Sequence, residues 1–374
     1  MKQVASITGR LAAALLLGAL SCAAWAQGKN IIVGQSTVLA GPGALRAEPF
    51  YQGAKLYFDR VNAAGGVNGR KIELQTLDDH GSPALTTENT KKLLAMQPIA
   101  LFGYYGSPQV KAAYPLIKDS DVILFAPMTA ADEFRNAEHP NIFALRPDYS
   151  DEAAAITRHA ATLGATRLAI IHATDAESVS ALESAQKTVG KLGATLVGTF
   201  PVTSGQFAGA VDNALAVKPQ SVLVIGDANS AGNVVRDMRV KGFRGPIYGF
   251  SNTGESLLAE EVGAEGAGVV VARVVPKTEN PNMPVARELL ADATAAKAGK
   301  PNVFMLEGYI AARTLVEAIR RIPGEPTRAK LKQSIEGLRN VDIGGVRVDF
   351  SNKSRVGSKM IDLALIDSQG RVRE

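Results

Sequence analysis

Cysteine is almost missing from this chain: among 374 residues only Cys22 is present. One thiol cannot make an intrachain disulfide, nor supply a zinc site of the cysteine type. Histidine is scarce as well. His80, His139, His159 and His172 are not paired at metal-ligand spacing, and no His-Glu-x-x-His occurs. The sequence also lacks a Gly-x-Ser-x-Gly nucleophile elbow, a phosphate loop ending in Gly-Lys-Ser/Thr, and a Gly-x-Gly-x-x-Gly after its first strand candidate. No catalytic centre is legible, so an enzyme is not expected, and neither is a cofactor. Long runs of one charge are absent too. Lys2 and Arg10 account for two of the formal +5, and the other basic residues are scattered without interleaved aromatics. Nucleic acid is therefore not an expected partner.

The one strongly apolar run is short. Leu11 to Leu20 follows Lys2 and Arg10, and Ala24-Trp25-Ala26 supplies a small-x-small cleavage pattern. A membrane span needs about 20 apolar residues. Residues 1–26 therefore read as a signal peptide cut after Ala26, and the remainder as an exported chain of the bacterial periplasm without cysteine. A lipoprotein leader would use Cys22, but Ala19 stands where leucine is expected.

What the sequence has in quantity is an alternation of β-branched runs and alanine-rich helical spacing. Strands are expected at Ile31–Val33, Lys71–Leu77, Ile99–Phe102, Val122–Phe125, Arg167–His172, Ala194–Phe200, Ser221–Ile225 and Ile247–Phe250. Ala54, Tyr57, Phe58 and Val61 share one helical face, as do Val110, Ala113, Tyr114 and Ile117. The longest helical stretch, Val303 to Ile322, stops at Pro323-Gly324. Strand–helix alternation predicts mostly parallel sheets with helices on both faces. The rhythm runs twice. One set ends near Arg146-Pro147, and a helix start at Ser150-Asp151-Glu152 opens the second. A proline-rich break lies between Val275 and Pro284. The tail alternates again at Val346, Val348 and Phe350, and at Ile361, Leu363 and Leu365.

Ligands of open α/β sheets bind beyond the carboxyl ends of strands. Two loops there carry hydroxyls: Phe102-Gly103-Tyr104-Tyr105-Gly106-Ser107-Pro108 and Ala126-Pro127-Met128-Thr129-Ala130-Ala131-Asp132. Ser107 and Thr129 with nearby backbone N–H groups can cradle a carboxylate, and Tyr104, Tyr105 and Met128 give it an apolar wall. Helix capping is the plainer use of either hydroxyl. Asp78-Asp79-His80 could be taken for a metal cluster. Followed by Gly81-Ser82-Pro83, it reads better as a turn and helix cap.

These stretches resemble the leucine/isoleucine/valine type of periplasmic binding protein, the substrate-binding subunit of ABC transporters. The likeness rests on Ala40-Gly41-Pro42, on Val61-Asn62-Ala63-Ala64-Gly65-Gly66-Val67-Asn68-Gly69-Arg70-Lys71-Ile72, on Asp78-Asp79, on the two loops above, and on Leu306-Glu307-Gly308-Tyr309-Ile310-Ala311-Ala312-Arg313. It covers essentially the whole exported chain. The resemblance implies the type I periplasmic binding protein fold: α/β, two doubly wound parallel-sheet lobes joined by three crossover hinge segments. Lobe one would hold residues 28–146 plus 276–345, and lobe two 147–275 plus 346–374.

The resemblance also implies capture of a small carboxylate-bearing solute by hinge closure. That solute would be a branched-chain or other neutral amino acid, or an aromatic or aliphatic organic acid. Delivery would be to inner-membrane ABC permease subunits, and a monomer is expected. A sensor of the same fold feeding a signalling receptor is the alternative. Ser107 matches the serine that holds the ligand carboxylate, and Tyr105 a neighbouring contact. Met128, Thr129 and Ala130 form the second carboxylate loop, with Thr129 one place before the family's threonine. Arg46 stands near the family's aromatic lid. Glu177 and Asp227 replace lobe-two tyrosines, and Ser251 replaces the acid that receives an ammonium. Glu177 or Asp227 could pair a cation instead, and Arg46 a second carboxylate. By default each of these three charges is a solvated surface residue.

Overall fold

The computed structural model describes residues 29–373 except Pro42 and Ser204. The leader, Cys22 and the cleavage site lie outside the described residues. The first sheet holds five parallel strands: β1 (Ile31–Thr37), β2 (Ile72–Asp78), β3 (Ala100–Phe102), β4 (Leu124–Phe125) and β5 (Ile142–Phe143), in spatial order β2-β1-β3-β4-β5. The second sheet repeats that order with β6 (Arg167–His172), β7 (Thr195–Pro201), β8 (Ser221–Ile225), β9 (Ile247–Gly249) and β10 (Val269–Arg273) as β7-β6-β8-β9-β10. Both switch direction beside their first strand, where doubly wound sheets open a ligand crevice. β11 (Val341–Asp342) and β12 (Arg347–Val348) form a small separate ribbon. β13 (Asp362–Ile366) adds antiparallel to β10, and β14 (Val372–Arg373) antiparallel to β13, at the edge of the second sheet.

Helices cover both faces of each sheet. On lobe one, α1 (Ala44–Ala63), α9 (Pro284–Ala296), α10 (Val303–Arg320) and α11 (Arg328–Glu336) build one core, while α2 (Pro83–Ala95) and α3 (Ser107–Ala113) build the other. On lobe two, α4 (Tyr149–Thr162) and α5 (Ala176–Val189) cover one face. α6 (Phe207–Ala216), α7 (Ala228–Val240) and α8 (Glu255–Val262) cover the opposite face. Ala54, Tyr57, Phe58 and Val61 all point inward, as their spacing requires. α1 and α10 cross in direct backbone contact. A Cβ on Gly53 would lie 1.9 Å from the Met305 carbonyl oxygen, and one on Gly308 1.9 Å from that of Phe50.

Three segments join the lobes, after β5, after β10 and after Phe350. The first and third pair with each other: Ala144 N–H donates to Arg355 O at 3.0 Å, and Gly357 N–H to Ala144 O at 2.8 Å. One expectation is corrected here. Residues 346–350 were assigned to lobe two, but Val346, Val348 and Phe350 sit in the first lobe's core, with the Phe350 ring 5.8 Å from Phe125 and 5.9 Å from Phe143. The apolar alternation there is real, yet the partner it packs against is the earlier sheet. The second helix set also starts sooner than Ser150. Asp148 is the cap, its carboxylate accepting the Asp151 N–H at 2.8 Å. Among the described residues, no helix is long and apolar enough to cross a membrane.

Candidate ligand-binding cleft

The strand-end loops of the two lobes face each other. Gly106 ends the loop after β3 at φ +91°, and a Cβ there would meet the Gln109 side chain at 2.4 Å. That turn delivers Ser107 to the lobe-one wall. Met128 follows β4, and its N–H donates to Tyr104 O at 2.8 Å while its own O accepts from Gly106 N–H at 3.2 Å. This pairing sets Ser107 Oγ 2.7 Å from Thr129 Oγ1, with both residues buried. The two hydroxyls of the sequence reading thus share one spot.

That spot holds a carboxylate from the chain itself. Glu177, in the first turn of α5 on lobe two, reaches across. Its Oε2 accepts Ser107 N–H at 2.7 Å and Ser107 Oγ at 2.5 Å. Its Oε1 accepts Thr129 Oγ1 at 2.9 Å and the Tyr149 hydroxyl at 2.7 Å. A carboxylate offers about four lone-pair sites, and all four are used. Burial, then the Glu177 charge, push the Tyr149 phenol well above its ordinary pKa, so it stays a donor.

Arg46 on α1 closes the other side. Its guanidinium lies 5.3 Å from the Tyr105 ring centre and donates to Asn252 O across the cleft at 3.4 Å. Burial acts to lower its pKa. The Tyr105 and Tyr149 phenols and the Glu177 and Asp227 carboxylates outweigh burial and hold it above its ordinary value. Tyr105 is pushed up to about 12, by burial first, with Arg46 opposing. Between these groups, Met128 and Phe304 line a narrow cavity of about 10 Å³, room for no more than a water. Asn252, 6 % exposed, also lines it, and neither amide atom of its side chain has a hydrogen-bond partner.

The remaining expected residues have other duties. Ser251 gives its N–H and hydroxyl to Glu152, both at 2.7 Å. Arg146 joins Ser251 and lies 3.3 Å from Glu152 and 3.5 Å from Glu307, tying the first crossover to a helix of each lobe. Asp227 is exposed and caps α7, accepting Ser230 N–H at 2.8 Å. Ala130 is buried and its carbonyl accepts Tyr149 N–H at 2.9 Å. Asp78 and Asp79 are occupied by turn contacts. Asp78 accepts His80 N–H at 2.8 Å, and Asp79 accepts Gly81 N–H at 3.0 Å and Ser36 Oγ at 2.8 Å. Tyr149, Asn252, Phe304 and Arg146 as lining residues were not read from the sequence. The first three carried no motif, and Arg146 was noticed only as a lobe boundary. A second hollow, around His159, Arg239 and Leu365, lies by the amino-terminal ends of β9 and β10, away from these loops.

Two lobes of identical strand order, joined by three segments around a polar cleft, are matched over residues 30–371 by the family model described as a periplasmic binding protein. The chain belongs to the periplasmic binding protein family. It is 23% identical to the Leu/Ile/Val-binding protein of Citrobacter freundii over 331 residues, covering 86% of this chain and 89% of that one. A chemotactic substrate-binding protein of Halobacterium salinarum is 27% identical over 235 residues, 59% of this chain and 55% of its own. Among solved structures, a substrate-binding periplasmic protein from Ralstonia solanacearum superposes with a TM-score of 0.83 at 29% identity, covering 92% of this chain and 99% of that one. The fold is therefore that of type I periplasmic binding proteins, a solute-binding class rather than an enzyme class.

Proposed function

We propose that this periplasmic binding protein is exported by residues 1–26, captures a small carboxylate-bearing solute between its lobes, and hands it to an inner-membrane ABC permease. Its solute would be a neutral amino acid, branched-chain ones included, or an aromatic or aliphatic organic acid. The supporting observation is chemical: Ser107, Thr129 and Tyr149 converge four donors on one carboxylate, that of Glu177. A site built to satisfy that anion suits a solute's carboxylate equally well, with Tyr105, Met128 and Phe304 against its apolar body. Closure excludes water, which strengthens each polar contact. Only a solute that binds the closed form better shifts the balance toward it.

A thermal-shift and calorimetric screen of leucine, isoleucine, valine, phenylalanine and the matched amine-free acids tests this. At least one is expected to raise Tm, since ligand at 100 times its Kd adds about 2.7 kcal/mol. Silence from all of them overturns the reading. Export predicts a mature protein beginning at Gln27 in the periplasmic fraction. A sensing role is the second reading, favoured by the chemotactic relative. Stimulation of a permease–ATPase in vesicles separates transport from it.

A further inference from the structure

We propose that Glu177 is a tethered competitor for the carboxylate cradle, and thereby the residue that decides which acids the cleft accepts. The proposal rests on reading Ser107 and Thr129 as the solute's carboxylate site. Both oxygens of Glu177 are saturated by the donors a solute would need. The lobes meet here with only about 10 Å³ of cavity between them, so a solute finds no free room beside Glu177. Two carboxylates cannot share those donors, because like charges so close repel strongly. A solute therefore enters by exchange. Glu177 sits in the first turn of α5, and its side-chain torsions carry the carboxylate out of the cradle without moving the helix.

Exchange has a consequence for selectivity. A bare acid such as acetate replaces one carboxylate by another and gains nothing. An acid with an apolar body adds contacts to Tyr105, Met128 and Phe304 and wins the exchange. Asn252, whose side-chain amide is unpartnered and 94% of whose surface is buried, adds a hydrogen bond only to those acids that carry a further polar group. In the meantime Glu177 holds the closed form together without a guest. The apparent affinity of the cleft falls by the fraction of molecules whose cradle is free.

The test titrates 4-methylpentanoate and acetate into the wild type, Ser107→Ala, Glu177→Ala and the double variant Ser107→Ala/Glu177→Ala, following both heat and Tm. Neither acid carries an ammonium, so removing Glu177 deprives them of no cation partner. Expected is binding of 4-methylpentanoate about tenfold or more tighter in Glu177→Ala than in the wild type, acetate binding only in Glu177→Ala, and, in the double variant, 4-methylpentanoate binding about tenfold to a hundredfold weaker than in Glu177→Ala with acetate binding lost. Solution scattering is expected to show a larger radius of gyration for unliganded Glu177→Ala than for the unliganded wild type. Circular dichroism melts confirm that each variant is folded. Equal affinity in the wild type and Glu177→Ala, with Ser107→Ala alone still weakening binding, keeps the cleft as the solute site and overturns the competitor. Binding of neither acid by any variant removes both.

Discussion

Two of the three hydroxyls that meet the Glu177 carboxylate belong to the proposed solute site, and each should be measurable alone. A hydrogen bond to a charged group contributes about 1.5–3 kcal/mol. Ser107→Ala and Thr129→Val are thus each expected to weaken solute binding by about tenfold to a hundredfold, read by calorimetry, with little change in fold. Both were legible in the sequence, because a hydroxyl just beyond a buried strand and before a helix has few places to point. Glu177 was legible only as a charge on the cleft side of lobe two. Its expected partner was a ligand's cation, yet in the structure four N–H and O–H donors fill its oxygens. Distance along the chain hides such a match: Ser107 and Glu177 are 70 residues apart. Asn252 was invisible for a different reason. It sits in a single 3₁₀ turn, Ser251–Thr253, whose sequence says only that the chain bends.

At the level of helices and strands, the α1–α10 crossing sets the tightest demand. A methyl at Gly308 would overlap the Phe50 carbonyl, and backbone cannot rotate aside as a side chain can. Gly308→Ala is expected to lower unfolding free energy by about 1–3 kcal/mol or more, measured by urea unfolding. Gly53→Ala should behave alike, and their effects should not add, because both open the same contact.

α8 offers a pH signature. Burial pushes the Glu255 carboxyl up to about 7 from its ordinary 4.5, with Arg273, 3.8 Å away, opposing. Between those values the folded chain binds more protons at this site than the unfolded chain. This site's contribution to stability therefore falls as pH rises from about 4.5 to about 7, by about 3 kcal/mol at most. Glu255→Gln should flatten that slope, whatever it does to absolute stability, when melts are compared across this range. Strand existence was readable where β-branched runs were isolated, as at Arg167–His172 and Ser221–Ile225. β10 escaped despite its run of valines. β5, two residues long, carries too little pattern to be seen.

The molecule as a whole is built as two halves around three crossings, and the Arg146 cluster ties the first crossing to a helix of each half. Burial acts to lower the Arg146 pKa, but Glu307 and Glu152 outweigh it and hold the guanidinium above its ordinary value. Arg146→Met leaves both acids buried without their cation. It is expected to cost about 3–5 kcal/mol by denaturant unfolding. The doubled strand–helix rhythm matches the two sheets of like strand order. The last boundary was misplaced because apolar alternation tells that a segment is buried, not which sheet buries it.

The interleaved lobes also bear on how the polypeptide is made. Lobe one waits for α10 and Phe350, and lobe two for β13 beside β10. Neither half can complete its interior while the ribosome still holds the C-terminal region. Folding of both lobes is therefore expected to finish only once the C-terminal region has left the ribosome.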